Sequence, residues 1–170
     1  MTQSNNASPF ELAEKFVNST DRHIFLTGKA GTGKTTFLRS IVHKTHKNIL
    51  VAAPTGIAAI NAEGMTLHSL FQLPFGSFLP SNPPVDEEVI TTQISTPQSI
   101  RKSLRMNSSK KKMINAAETL IIDEVSMLRA DTLDAIDTVL RYVRRQKRVP
   151  FGGMQMVFIG DLLQLPPVIK

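Results

Sequence analysis

The sequence contains no cysteine, few aromatic residues (6%) and no long apolar run. The lack of cysteine excludes a disulfide framework, thiolate catalysis and zinc sites built from cysteine. No apolar run approaches the roughly 18 residues that a membrane-spanning helix needs, and the N-terminus lacks the successive charged, apolar and small-residue regions of a signal peptide. We therefore predict a protein that is neither secreted nor placed in a membrane.

The composition is that of one globular domain that is long enough to bury a core, with 170 residues, 41% of them hydrophobic and 20% charged. Twenty Lys and Arg residues against fourteen Asp and Glu residues give a net charge of +6. This excess suits a polyanionic partner, but many solvated proteins are equally basic, so charge alone does not identify nucleic acid as the partner. The cytoplasm is the expected compartment, with the nucleus or mitochondrion as alternatives in a eukaryote, although Glu11 and Glu14 in an arginine-poor start argue against a mitochondrial presequence.

Four short apolar runs predict strands, over residues 23–27, 48–53, 119–122 and 154–159. Apolar residues recur at helical spacing between these runs, as in Phe37, Leu38 and Ile41. Strands that are almost wholly apolar and alternate with helices predict an α/β fold, in which helices cover both faces of a parallel sheet. A short amphipathic helix is expected over residues 10–17, after a mobile tail over residues 1–9.

This alternation is interrupted between residues 72 and 115, where proline and serine are frequent. The segment contains an acidic patch at residues 86–88 and ends in a basic stretch with Arg101, Lys102, Arg105 and residues 110–112. A structureless loop of this length is unusual in a compact domain, so we expect short helices inside it, one of them capped by Thr96. We predict an accessory insertion on the surface, whose basic residues either hold a DNA backbone or form a solvated face.

The strongest chemical signal is GKAGTGKT over residues 28–35, which fits the phosphate-binding pattern G-x-x-x-x-G-K-[ST] and lies between a predicted strand and a predicted helix. Glycines let successive backbone N–H groups surround a phosphate, and a helix N-terminus adds partial positive charge. Lys34 is expected to reach the β and γ oxygens, and Thr35 to ligate Mg²⁺. The predicted ATP-binding residues are Gly28, Ala30, Gly31, Thr32, Gly33, Lys34, Thr35 and Thr36.

Polar side chains also follow two other predicted strands. Asp123 comes directly after the apolar run 119–122 and can hold Mg²⁺ through water, while the adjacent Glu124 can take a proton from an attacking water. Gln164 follows the fourth run, where it can donate to the γ-phosphate and report its presence, or be an ordinary polar loop residue before a proline turn. We predict Lys34, Glu124 and Gln164 as catalytic residues, and Thr35 and Asp123 as metal ligands.

Four segments together resemble the motifs of one known family: GKAGTGKT (28–35), APTGIAAINAEGMTLHSLF (53–71), LIIDEVSML (120–128) and FGGMQMVFIGDLLQLPPV (151–168). In these segments the chain is similar to the petite-integration-frequency family of 5′-to-3′ DNA helicases, which belongs to superfamily one and is related to RecD-type helicases. The resemblance implies the first of two RecA-like motor domains, with ATP and Mg²⁺ as cofactors. It also implies single-stranded DNA, single-strand/duplex junctions and a second RecA-like domain as partners.

The resemblance further assigns six residues to the path of single-stranded DNA. They are Pro54, Thr55, Gly56, Thr66, His68 and Ser69. A threonine hydroxyl and the N–H groups of a helix start are natural donors to phosphate, and such contacts hold a strand without reading its sequence. The family usually has a glutamine ahead of the phosphate-binding loop that reads adenine, whereas residues 8–12 (SPFEL) contain none.

The order of the strands is expected by analogy with RecA-like folds. The strand over residues 154–159 should lie between those over 23–27 and 119–123, with Gln164 close to Lys34 and Glu124, and the strand before the phosphate-binding loop should lie near an uncovered edge. Two other functions stay open. A nucleotide switch or kinase is one, although the guanine-reading motif N-K-x-D is absent; a plain DNA-binding module is the other, and it leaves the phosphate-binding loop without a role. The family's second motor domain and its γ-phosphate-reaching arginine have no counterpart before Lys170, so the chain alone is expected to be inactive as a helicase.

Overall fold

The computed structural model describes residues 7–81 and 94–167. In chain order the strands are β1 (Ile24–Thr27), β2 (Ile49–Ala53), β3 (Met65–Thr66), β4 (Ser77–Phe78), β5 (Ile94–Ser95), β6 (Thr119–Ile122) and β7 (Gln155–Gly160). The helices are α1 (Pro9–Ser19), α2 (Lys34–Lys44), α3 (Gly56–Asn61), α4 (Leu67–Phe71), α5 (Pro97–Ser103), α6 (Ser108–Ala116) and α7 (Ala130–Val143). Two short 3₁₀ turns, Val125–Met127 and Pro150–Gly153, precede α7 and β7.

Five of these strands form a parallel sheet in the order β1-β7-β6-β2-β3. Strand β7 lies between β1 and β6, and pairs Ile159 with Leu26 on one side and Val157 with Ile121 on the other. The predicted strand order is therefore confirmed, and β1 is an edge strand of this sheet. Because parallel strands end at the same side, the residues that follow β1, β6 and β7 come together.

Helices cover both faces of the sheet, because successive strand residues point to opposite sides. Ile121 and Val157 pack with apolar residues of α1 and α2 on one face. Leu120 and Met156 pack with α4, α6 and α7 on the other face, where the larger core lies. The predicted α/β architecture is thus confirmed. Within the described ranges, no helix has both the length and the apolar character needed to cross a membrane.

The described parts of the segment from residue 72 to 115, residues 72–81 and 94–115, contribute side chains to the core, which the prediction of a surface insertion did not anticipate. Phe78, Ile100 and Ile114 are buried in the larger core together with Ile136 of α7. The predicted helix is confirmed, since α5 follows its cap residue Thr96, whose hydroxyl accepts from the N–H of Ser99 (3.2 Å). Composition concealed the packing because each element buries only one or two apolar residues. The acidic patch at residues 86–88 lies outside the described residues.

The chain start also differs from the prediction, because α1 begins at Pro9 inside the proposed mobile tail of residues 1–9. Ser8 caps the helix: its hydroxyl accepts from the N–H of Glu11 (3.2 Å), and its own N–H donates to the Glu11 carboxylate (2.8 Å). Serine followed by proline and then by glutamate at the third helical position is a capping box with proline in the first turn. Residues 1–6 lie outside the described part of the chain.

Candidate nucleotide and nucleic-acid site

The loop between β1 and α2 has the backbone that phosphate binding requires. Gly31 and Gly33 have φ angles of 78° and 89°, a left-handed conformation that glycine adopts without steric cost. Gly33 also caps α2, so the helix N-terminus opens directly onto the loop. Thr32 closes the loop internally, since its hydroxyl donates to the carbonyl oxygen of Lys29 (2.8 Å) and lies against Gly28. Gly28 and Thr32 therefore shape the loop rather than line its open side.

The ammonium group of Lys34 lies inside this loop. Its Nζ atom donates to the carbonyl oxygens of Gly28 (2.5 Å) and Lys29 (2.9 Å). Both acceptors belong to the turn that would surround a phosphate. Among the described residues that line this cleft, Lys34 is the only cation, and main-chain oxygens hold its ammonium group there.

Two carboxylates follow β6 on a tight turn. The N–H of Asp123 continues the sheet by donating to the carbonyl oxygen of Ala52 (3.0 Å), and its Oδ1 atom accepts from the N–H of Glu124 (2.9 Å). Burial raises the pKa of Asp123, while the Glu124 N–H and the charge of Lys34 act in the opposite direction and offset part of this effect. Glu124 has a left-handed backbone (φ 51°), which is strained for a residue with a side chain. This left-handed conformation turns the chain sharply between the two carboxylates.

The end of β7 packs against this turn through a glycine. A Cβ atom at Gly160 would lie 2.9 Å from the backbone nitrogen of Val125, a distance that real side chains do not adopt. The following Asp161 is buried, and it orders the next residues: its Oδ1 atom accepts from the N–H of Leu163 (3.0 Å) and its carbonyl oxygen from the N–H of Gln164 (2.9 Å). Close packing at Gly160 therefore sets the distance between the loops that carry Glu124 and Gln164.

All the predicted nucleotide-site residues except Gly28, Thr32 and Asp123 line one cleft. Its lining consists of Ala30, Gly31, Gly33, Lys34, Thr35, Thr36, Glu124 and Gln164. An adjoining cleft shares Thr35, Glu124 and Gln164, adds Asp123, and extends to Thr55 at the start of α3. Residues from three separate strand ends thus surround one space. The structure brings them together as the strand order predicts.

The predicted DNA-path residues lie at the starts of α3 and α4. Pro54, Thr55 and His68 line a cleft together with Met127 and Arg129. Thr55 caps α3, and its hydroxyl accepts from the N–H of Ala58 (3.2 Å). Gly56 is exposed, and no atom lies within 4 Å of the position a Cβ would occupy there. Thr66 and Ser69 are joined by a hydrogen bond from the Ser69 N–H to the Thr66 hydroxyl (3.2 Å).

The surroundings of His68 are aromatic and basic. Its ring stacks on that of Phe75, with centroids 5.3 Å apart and an interplanar angle of 17°. Burial lowers the pKa of His68, so the imidazole is neutral at pH 7. Beside it, the Nζ atom of Lys110 donates to the carbonyl oxygen of Ser69 (2.8 Å). The first residue of the basic run 110–112 therefore lies next to the predicted DNA path.

Sequence reasoning missed several residues at these clefts. Phe75 is 83% exposed beside His68, and Arg129 pairs with Asp131 (2.6 Å) at the edge of the same cleft. The sequence could have indicated the role of Asp161, because an aspartate just after a strand commonly orders a turn. No sequence pattern indicated Phe75 or Arg129, because their positions depend on how α4, β4 and α7 pack.

The stretch of residues 8–12 lies beside the phosphate-binding loop, although it lacks the expected glutamine. The Phe10 ring stacks on Phe37 of α2, with centroids 5.6 Å apart. A Cβ atom at Gly33 would lie 3.2 Å from the Phe10 ring. Here the helix before the loop contributes an aromatic ring rather than an amide.

A phosphate-binding loop after one strand, with a carboxylate pair and a glutamine after two neighbouring parallel strands, defines a RecA-like P-loop domain. The chain belongs to the PIF1-like helicase family, whose model matches residues 2–170. The family and the RecA-like fold predicted from the sequence are both confirmed.

Similar proteins come from fungi, animals and bacteria. The chain is 37% identical over 161 residues to the ATP-dependent DNA helicase PIF1 of Emericella nidulans, a match that covers 91% of this chain and 19% of that protein. A crystal structure of Bacteroides sp Pif1 in complex with ADP-AlF4 is 44% identical with a TM-score of 0.77, and covers 96% of this chain and 34% of that one. Bacteroides Pif1 bound to ssDNA is 43% identical with a TM-score of 0.76, covering 100% and 34%. The chain spans a fifth or less of the length of the curated relatives it matches.

Proposed function

We propose that this chain is the first RecA-like motor domain of an ATP-dependent 5′-to-3′ DNA helicase. It binds ATP at the loop of residues 28–35 and single-stranded DNA at the starts of α3 and α4. In the whole protein a second RecA-like domain completes the motor, which acts at junctions between single-stranded and duplex DNA. Support comes from relatives that were crystallised with ADP-AlF4 and with ssDNA.

One observation carries the proposal: the 3₁₀ turn Val125–Met127 joins the two clefts. Glu124, directly before the turn, lines the nucleotide cleft, while Met127 at its end lines the cleft of Thr55 and His68. A change around the γ-phosphate therefore reaches the DNA path through three residues. A plain nucleotide switch would not need this second cleft, and a plain DNA-binding module would not need the first.

The donor set fits Mg²⁺. Thr35 and Asp123 line the same cleft and present a hydroxyl and a carboxylate, the oxygen ligands that this ion prefers beside substrate phosphates. Burial makes the Asp123 carboxylate costly without a cation, and Lys34 supplies only part of the compensation. When bound, Mg²⁺ would neutralise charge on the β and γ oxygens. Thr35 and Asp123 are the residues that would hold it.

The other side chains divide the work of hydrolysis. Lys34 exchanges the carbonyl oxygens of Gly28 and Lys29 for phosphate oxygens, which carry more negative charge. Glu124 accepts the proton of the attacking water, a role typical of a carboxylate that flanks a metal ligand. Gln164 donates to the γ-phosphate and loses this contact on hydrolysis, so that the packing at Gly160 transmits the loss to the turn Val125–Met127.

On the DNA side, the exposed helix start at Gly56 offers backbone N–H groups to a phosphate without steric hindrance. His68 is neutral at pH 7 because burial lowers its pKa, so it contributes a hydrogen bond or stacking surface rather than charge. The stacked ring of Phe75 extends this surface toward solvent and is available to a base. Such contacts bind a strand with little dependence on sequence.

The test is the rate of ATP hydrolysis with and without single-stranded DNA, measured on this chain and on a longer protein that contains the second motor domain. We expect DNA to stimulate the longer protein strongly and the 170-residue chain barely. If single-stranded DNA does not stimulate ATP hydrolysis by the longer protein, this would contradict the motor assignment and favour a nucleotide switch. DNA binding without any nucleotide binding would favour a plain DNA-binding module.

A further inference from the structure

The positive charge of the protein is concentrated in two segments, residues 94–117 and 138–160. They contain eleven of the twenty Lys and Arg residues and none of the fourteen Asp and Glu residues. The rest of the chain has more carboxylates than cations. The net charge of +6 is therefore not spread evenly over the chain but comes from these two segments.

The fold packs the two segments against each other. Arg144, at the end of α7, donates from its guanidinium to the carbonyl oxygens of Ile114 (2.9 Å), Ala117 (2.7 Å) and Gly152 (2.7 Å). This arginine joins the end of α6 to the end of α7. Arg141 is also engaged, since it pairs with Asp137 (2.6 Å). Both residues, and Lys110 through its bond to the carbonyl oxygen of Ser69, hold elements of the scaffold together.

A cleft opens between the two helix ends. It is lined by Lys111, Lys112, Asn115, Tyr142, Arg145 and Lys147, together with Val143. Tyr142 keeps 43% of its surface exposed there. The cleft lies at the ends of α6 and α7 that lead into β6 and β7, opposite the nucleotide site. Strands of four and six residues separate the two sites by about 13–20 Å, at about 3.3 Å per residue.

Arg145 has a backbone conformation that usually favours glycine. Its φ angle is 58°, its N–H donates to the carbonyl oxygen of Tyr142 (3.3 Å), and the N–H of Gln146 donates to that of Arg141 (3.1 Å). This pattern ends a helix with a left-handed residue, which is usually glycine because a Cβ atom is strained there. An arginine at this position is unfavourable for the turn, while its side chain supplies a cation to the cleft. A strained residue whose side chain lines a cleft motivates the hypothesis that the side chain has a function there.

We propose that this cleft binds single-stranded nucleic acid at a second site, separate from the motor's DNA path and independent of the nucleotide site. The cations of Lys111, Lys112, Arg145 and Lys147 hold backbone phosphates, and a base stacks on the ring of Tyr142. An exposed aromatic ring among several cations is the combination that single strands use, because a duplex keeps its base faces stacked inside. An acidic protein segment would satisfy the cations but would leave the tyrosine without a role.

The chain offers a local probe of the cleft. Tyr142 is its single tyrosine and there is no tryptophan, so tyrosine fluorescence reports on this cleft alone. We expect an oligothymidylate of about 12 nucleotides, within the usual range for such sites, to quench this fluorescence on binding. Each phosphate contact contributes about 0.7 to the log–log salt slope, equivalent to about fivefold in affinity at 0.1 M salt. Quenching should therefore weaken steeply as salt is raised.

Two variants and one control test the assignment. Arg145→Gly should weaken binding by about fivefold and lower the salt slope by about 0.7, while the thermal unfolding midpoint stays unchanged or rises because glycine relieves the turn. The double variant Lys111→Ala/Lys112→Ala should lower the slope by about 1.4. The double variant Lys15→Ala/Lys44→Ala removes the same charge from α1 and α2 and should leave quenching unchanged.

The proposal is overturned if the oligonucleotide does not quench Tyr142, or if the two cleft variants bind as tightly as the control. It is also overturned if polyglutamate quenches as strongly as the oligonucleotide, since the cleft would then be a site for acidic protein segments. If Arg145→Gly lowers the unfolding midpoint, its side chain has a structural role, and the double lysine variant alone decides between binding and no binding.

Discussion

Exchanging Glu124 for glutamine and Lys34 for alanine should separate hydrolysis from binding. Glu124→Gln keeps the size and the left-handed backbone of the turn but removes the proton acceptor. Loss of a positioned base typically lowers the rate by about 10²–10⁴-fold, or about 3–5 kcal/mol of activation free energy. Because Glu124→Gln also removes a negative charge near the phosphates, the affinity for ATP should be unchanged or slightly higher. Lys34→Ala instead removes a charged hydrogen bond worth about 1.5–3 kcal/mol, so ATP should bind about 10–100-fold more weakly.

Binding is measured with a fluorescent ATP analogue on the 170-residue chain, and turnover by phosphate release from the longer protein with single-stranded DNA present. Two matched controls are available in the chain. Glu63→Gln changes a second glutamate with a left-handed backbone (φ 53°) on the surface, and Lys29→Ala removes an exposed lysine of the same loop. Neither control should alter turnover or affinity beyond a few fold. If Glu124→Gln bound the analogue as poorly as Lys34→Ala, the assignment of Glu124 as the base would be wrong.

Three further predictions concern packing, pH and the missing arginine. Gly160→Ala should lower the free energy of unfolding by about 1–3 kcal/mol in urea denaturation, because its Cβ would lie 2.9 Å from the Val125 nitrogen. Asp123→Asn should raise the melting temperature at neutral pH. Burial raises the pKa of Asp123, so the ionised carboxylate opposes folding. The gain in melting temperature should therefore vanish below the ordinary pKa of 3.8, where the carboxyl group is protonated in both states. None of the nine arginines, all within the described ranges, lines the nucleotide clefts, so this chain should hydrolyse ATP about 10³–10⁵-fold more slowly than the longer protein with DNA.

Each of these predictions has an outcome that contradicts it. Gly56→Ala, where the added Cβ meets no atom within 4 Å, is the control for packing, and equal stability losses at residues 56 and 160 would refute the close-packing argument. A stability gain of Asp123→Asn that persists at about pH 3 would show that charge is not its cause. Comparable DNA-stimulated rates in the short and long chains would mean that an arginine of this chain, or of a second copy, reaches the γ-phosphate.

The sheet was predictable because its strands are short apolar runs that end in polar residues. All four residues of β6 are buried, which matches the reading of TLII as a strand covered on both faces. The order of the strands was not contained in these runs, since a wholly apolar strand fits any central position. It came from the resemblance to RecA-like domains. The phosphate-binding loop was predictable from spacing alone, because Gly33 and Lys34 have their roles through local backbone geometry.

Other features depend on tertiary packing and left no local pattern. Ile100 and Ile114 are core residues within a segment dominated by serine, proline and lysine, so the average polarity concealed them. Phe75 is exposed and stacks on His68, and it lies just before β4, which packs against α7; no periodicity encodes this arrangement. Arg145 has a left-handed backbone that propensity assigns to glycine or asparagine. Sequence patterns predict residues with local roles better than residues whose roles depend on distant neighbours.

If Lys34 binds the nucleotide as proposed, its two bonds to its own loop make nucleotide entry a ligand exchange, in which phosphate oxygens replace main-chain oxygens. An incoming phosphate competes with the carbonyl oxygens of Gly28 and Lys29, and the exchange is favourable only in proportion to the extra negative charge that it brings. A nucleoside monophosphate, which presents no β or γ oxygens here, leaves the lysine with its main-chain partners. Under the proposed role of Lys34, selectivity for the polyphosphate chain is therefore a property of the loop itself and does not require Glu124, Gln164 or DNA.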